Sequence, residues 1–136
     1  MQQRDLIMAQ IEQLSKVLQK ILAKFLGVKP LVDIQERIQD TQKALKEELD
    51  IDIEVVLTIK GEELSRYFSL KKLAPQHIEL LGDYLAKIAE SIKEMKEKSH
   101  QYYYKSLDLY DIVNSNSNEY SLERLEKEKR IKKQLE

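Results

Sequence analysis

Three glycines and two prolines are the only strong helix breakers in a chain of 136 residues. Glycine costs about 1 kcal/mol and proline about 3 kcal/mol in a helix interior, so a chain that nearly omits both is free to be helical almost throughout. The breakers fall at Gly27, Pro30, Gly61, Pro75 and Gly82, and they punctuate runs rich in Leu, Ile, Lys, Glu and Gln. The length suits one domain with one core. Apolar residues make up 42%, enough to fill that core, while charged residues reach 35% against about 25% in an average globular protein. The surplus charge must lie on solvated helix faces. The predicted fold is all-α.

Between the breakers the apolar residues repeat at helical spacing. From Asp5 to Leu26, the residues Ile7, Ile11, Leu14, Leu18, Ile21 and Phe25 alternate steps of four and three, a seam that Leu22 and Leu26 widen. The seam predicts a core helix and is also a candidate contact with a second copy of the chain. Gly27 is placed to stop this helix, and Pro30 to open the next at its first position. Leu31, Ile34, Ile38 and Leu45 carry that second helix to about Glu48, with Thr41 as the weak point of its face. The short link predicts an antiparallel hairpin.

Residues 51–59 alternate as a strand would, yet a lone strand leaves its backbone groups unpaired. A short helix capped by Asp52, with Ile53, Val56 and Leu57 inward, is the preferred reading. Gly61 ends it, and Glu62–Leu70 forms another short helix on Leu64, Tyr67 and Phe68. Beyond Pro75, Ile78, Leu81, Leu85 and Ile88 make an amphipathic face, and Gly82 marks close packing. The heptad phase continues through Ile92, Met95, Ser99, Tyr102, Ser106 and Leu109 to Val113. That permits one long helix, but Ser91-Ile92-Lys93-Glu94 fits a capping box that would begin a new one. Residues 114–118 (NSNSN) predict a loop. Ser121 is placed as an N-cap, with Tyr120 and Leu125 as a hydrophobic staple. The last helix is a charged edge element anchored by Leu122, Leu125, Ile131 and Leu135.

The totals exclude several functions. With 23 basic and 24 acidic residues the net charge is -1, so no global field draws nucleic acid. Cysteine is absent, which removes disulfides, thiol catalysis and thiolate metal sites. No apolar run approaches the roughly 18 residues of a membrane span, and a cytoplasmic location is the expectation. Glu97 and His100 stand three apart and share a helix face, but a di-iron bundle needs two such pairs with further glutamates. No cofactor or metal is expected. Tyr102, Tyr103, Tyr104 and Tyr110 point in different directions on a helix. Tyr103 and Tyr110 are predicted to pack, while Tyr102 and Tyr104 are the candidate partner contacts.

The run Ser99-His-Gln-Tyr-Tyr103-Tyr-Lys-Ser106-Leu107-Asp-Leu109 resembles the second helix of a tetratricopeptide repeat, with Ser99, Tyr103 and Ser106 at the small, aromatic and small positions. Leu81-Gly82 is similar to the Leu-Gly pair of the repeat's first helix. One repeat is visible, about five residues longer than the standard 34. The chain as a whole resembles a family of small uncharacterised bacterial helical proteins that open on an Arg-Asp-hydrophobic helix, here Arg4-Asp5-Leu6-Ile7 through Ile11, Glu12 and Leu14, and end in a degenerate tetratricopeptide-like hairpin. The resemblance implies a turn near Glu90–Ser91, and a single domain in which N-terminal helices (1–74) pack on a tetratricopeptide-like hairpin with a polar C-terminal helix (75–136). The function expected is noncatalytic: protein–protein interaction or scaffolding with an unidentified protein partner, including a homodimer. The alternative is a small regulatory or nucleic-acid-associated protein using the basic C-terminal stretch KEKRIKK, although its charge balance argues against nucleic acid.

Overall fold

The computed structural model describes residues 3–26, 33–117 and 120–136. Among the described residues there are seven helices and no strand: α1 (Gln3–Leu26), α2 (Ile34–Leu49), α3 (Ile53–Thr58), α4 (Gly61–Leu70), α5 (Pro75–Ser91), α6 (Lys96–Asn116) and α7 (Leu122–Gln134). The all-α fold follows from the scarcity of breakers.

The capping chemistry shows why the elements start where they do. Asp33 accepts from the Gln35 N–H at 3.2 Å and opens α2, so this helix begins beyond the position expected from Pro30. Gly27, Pro30 and Leu31 lie outside the described residues. Asp52 accepts from the Glu54 N–H at 3.0 Å and opens α3, which makes residues 53–58 helical, with Ile53 and Val56 buried and Leu57 half-buried. Gly61 sits at φ +56° at the head of α4, a left-handed conformation that costs glycine little. Pro75 stands at the start of α5. There the Ala74 N–H donates to His77 Nδ1 at 2.8 Å, so a histidine replaces the usual acid in one half of a capping box.

Two helical pairs stack. The Phe25 ring meets Tyr84 edge-on at 5.5 Å, and His77 Nε2 lies 3.0 Å from the Ile11 carbonyl. These two pairs show α1 and α5 running in the same direction. Because His77 Nδ1 already accepts from Ala74, Nε2 carries the proton and donates to Ile11. Arg37 of α2 sits 5.9 Å over the Phe25 ring. Gln35 approaches Met95, and Gln42 donates to the Tyr102 hydroxyl at 3.4 Å, which aligns α2 with α6. Thr41, the weak point of the α2 stripe, is buried. Its hydroxyl donates to the Arg37 carbonyl at 3.0 Å and accepts from the Tyr84 hydroxyl at 2.5 Å. The apparent gap in the stripe is therefore the polar tie between α2 and α5.

α5 and α6 form the tightest pair, antiparallel, with a turn over residues 92–95 between them. The turn falls where the sequence allowed it, but not by a Ser91 capping box. The Ser91 hydroxyl donates to the Lys87 carbonyl at 2.8 Å, and α6 starts after Met95 with no side-chain cap. The hairpin is closed instead by serines. Ser99 donates to the Ala89 carbonyl and Ser106 to the Gly82 carbonyl, each at 2.7 Å. Small residues let the backbones approach, and the hydroxyls tie them. A Cβ on Gly82 would stand 2.8 Å from Tyr110 Cε1, which is why glycine occupies that place. Ile51, with Ile53 and Val56 of α3 and Leu64 and Phe68 of α4, joins the same core, and Lys105 of α6, almost fully buried, donates to the Ile59 carbonyl at 2.6 Å.

Candidate functional site: a charged cleft and an apolar helix end

α7 carries Arg124, Glu128, Ile131 and Leu135 on one stripe at steps of four, three and four. Arg124, Glu128 and Ile131 are buried. Arg124 donates from Nη1 to Glu79 Oε1 at 2.8 Å and from Nε to Asn114 Oδ1 at 2.6 Å. Asn114 in turn donates to Glu128 at 3.1 Å. Lys127 reaches Glu79 at 3.0 Å, Asp83 at 3.1 Å and Glu123 at 3.8 Å. The Tyr110 hydroxyl donates to Asp83 Oδ1. The last helix is thus held by ions turned inward, which corrects the reading of it as a solvated edge anchored by leucines. Leu122 and Tyr120 are both exposed. The signal was present in the sequence: Glu79 and Asp83 share one face of α5 at a spacing of four, opposite a basic stripe on α7.

Electrostatics follow from that network. Burial would raise the Glu79 carboxyl, but hydrogen bonds from Arg124 and Lys127 outweigh it and hold the group below the usual carboxylate range. Burial would lower the Lys127 ammonium, but the Glu79 hydrogen bond and the Asp83 charge hold it above its ordinary value. Burial, followed by the Asp83 charge, pushes the Tyr110 hydroxyl far up. Arg124 and Lys127 are engaged with Glu79, Asp83 and Glu123, and Glu128 joins the cluster through Asn114.

Beyond the network, α7 and the α5–α6 pair leave a half-open cleft of about 620 Å³. Ala86, Tyr103 and Ile131 form its floor. Asp83, Glu123 and Lys127 close its inner end, while Lys87, Glu90, Lys93 and Arg130 rim the outer end. Lys93 is there because the chain turns at residues 92–95.

The tyrosines divide clearly. Tyr103 and Tyr110 pack in the hairpin, as expected. Tyr104 is 57% exposed, but Tyr102 is only 5% exposed and faces Gln42 rather than solvent, which removes it as a partner contact. The N-terminal seam also divides. Leu18, Ile21 and Phe25 belong to the chain's own core, Ile11 and Leu14 are half-buried, and Ile7 is exposed. Every described side chain from Asp5 to Gln10 is exposed, with Leu6 at 49%, Ile7 at 50% and Met8 at 54%. Among the described residues, the His77–Ile11 bond is the last hydrogen bond from the helical body to α1 in this direction.

Glu97 is exposed and His100 half-buried. Among the described residues no third ligand-type side chain joins them. No helix of the described residues is long and apolar enough to cross a membrane. No protein-family model matches the chain, and no curated protein or solved structure matches it.

Proposed function

We propose that this chain is a noncatalytic protein-interaction domain: a tetratricopeptide-like hairpin stiffened by the helices around it, which presents α1 to a protein partner. One observation supports the reading above others. The first turns of α1 carry Leu6, Ile7 and Met8 half-exposed, in a run from Asp5 to Gln10 whose side chains are all exposed. Exposed aliphatic residues clustered on a rigid helix are the usual anchors of helix-mediated recognition. Tyr104 adds an exposed aromatic on α6.

The same surface is the homodimer candidate. Three half-exposed side chains fall well short of the roughly 800 Å² per partner that a standard interface buries, so self-association through α1 alone is weak. Light scattering on size-exclusion fractions at micromolar concentration tests it. A mass of two chains that reverts to one in Leu6→Glu/Ile7→Glu supports pairing through α1, and a single-chain mass for the parent protein removes the dimer. For the broader reading, partners captured from the native host by the parent chain are lost by the same double variant. Capture that ignores the substitutions overturns the role of α1.

A further inference from the structure

The outer end of the cleft holds donors without acceptors. Among the described residues Lys93 and Arg130 have no anionic partner, and the Tyr103 hydroxyl has no hydrogen-bond partner, although all three line the same cleft. Lys87 is paired only with Glu90, at 3.5 Å, and both side chains are more than half exposed. Three cations therefore face one carboxylate at this end. The inner end differs: Asp83 and Glu123 already share Lys127. The cleft is polarised, electropositive at the hairpin turn and saturated with ion pairs at its root, over an apolar floor of Ala86, Tyr103 and Ile131.

We propose that this cleft binds an acidic segment of a partner protein, with two neighbouring carboxylates at Lys93 and Arg130 and an apolar side chain on the Tyr103–Ile131 floor. Charge complementarity selects the anion. Guanidinium and ammonium donors make charge-assisted hydrogen bonds to carboxylate, and the phenol adds a neutral one. The shape selects a chain segment: enclosed small-molecule sites bury most of their ligand, whereas this cleft is half-open and lets a peptide enter and leave. The occupied cleft would be bounded by α7, whose position is set by the Glu79–Arg124–Lys127 network rather than by the ligand. The proposal deepens the interaction reading but rests on residues remote in sequence from the α1 anchors.

A random peptide display library panned on the full chain tests it, followed by calorimetry with the best selected peptide. The expected result is enrichment of adjacent Asp or Glu beside an apolar residue. Lys93→Glu/Arg130→Glu should weaken that peptide by roughly tenfold or more, the loss of two charge-assisted contacts. Both residues are exposed, so circular dichroism should stay unchanged. Tyr103→Phe should give a smaller loss, and added salt should weaken the parent complex. Enrichment without acidic bias, no enrichment, or an affinity indifferent to the charge reversal overturns the proposal. So does displacement of the peptide by inorganic phosphate at equal concentration, which would assign the cleft to a small phosphorylated ligand, or occupancy by a second copy, seen as a dimer that the charge reversal dissolves. Leu6→Glu/Ile7→Glu should leave peptide binding intact, so failure of the α1 reading and failure of the cleft are separable.

Discussion

At the scale of single residues, the structure turns apparent weaknesses into contacts. Thr41 looks like a fault in an apolar stripe and is instead hydrogen-bonded to Tyr84. Gly82 looks like a liability in a helix and is the place where the Tyr110 ring lies. Replacing Gly82 with alanine gains about 1 kcal/mol of helix propensity but overpacks a buried ring, which costs about 1–3 kcal/mol. The ring is held at its hydroxyl by Asp83 and cannot swing away cheaply, so the clash wins. Gly82→Ala should lower stability by about 1 kcal/mol, read as a lower urea midpoint at unchanged slope. An equal or higher midpoint would mean that Tyr110 moves aside. Close packing at Gly82 was legible from a glycine set in an apolar helix face, but its partner Tyr110 and the bond from Thr41 to Tyr84 were not, because periodicity reports which face a residue is on and not what it meets there.

Among the elements, α7 behaves least as its sequence suggests. A helix almost without apolar anchors is held by Arg124 and Lys127 on Glu79 and Asp83. Ion pairs of this kind respond to pH. The Glu79 carboxyl titrates lower in the folded chain than its ordinary value of 4.5, so its contribution is complete above that value and is lost as pH falls through the folded-state value. Thermal melts taken from neutral pH down to about pH 3 should show an acid-sensitive step from α7, and Glu79→Gln should flatten it. An acid limb identical in the variant would place the sensitivity elsewhere. The α5–α6 turn gives the complementary lesson. Its location near residue 91 was expected from the Ser91 capping box and from the resemblance of Ser99, Tyr103 and Ser106 to a tetratricopeptide helix. Its mechanism was not, since Ser91 bonds back to Lys87 and the break is decided by the contacts that Ser99 and Ser106 make with Ala89 and Gly82.

Across the whole molecule, four buried tyrosines knit the pairs of helices together, and these four ionise only with difficulty. Burial, then for some a nearby carboxylate, raises the hydroxyls of Tyr84, Tyr102, Tyr103 and Tyr110 above the ordinary value of 10.0. A group whose folded-state value is raised gives stability that is whole below its unfolded value and is lost as pH rises through the folded one. The fold should therefore weaken above about pH 10, with phenolate absorbance of these residues appearing together with loss of helical circular dichroism. Phenolate absorbance rising fully while helicity is retained would show that the hydroxyls are not confined.

The sequence by itself determined the helical class, the caps at Asp52 and Ser121, the core faces of α3, α4 and α5, and the packing of Tyr103 and Tyr110. These follow from propensity, periodicity and local hydrogen bonding, which act within a few residues. Tertiary structure alone decided that Tyr102 is buried while Tyr104 is exposed, that the seam of α1 passes from exposed at Ile7 through half-buried at Ile11 and Leu14 to core from Leu18 on, and that the charges of α7 turn inward. It also brought Lys93 and Arg130 to one cleft. Those outcomes depend on which distant helix lies opposite each face, and the energy of a charge or an apolar side chain is set by that neighbour.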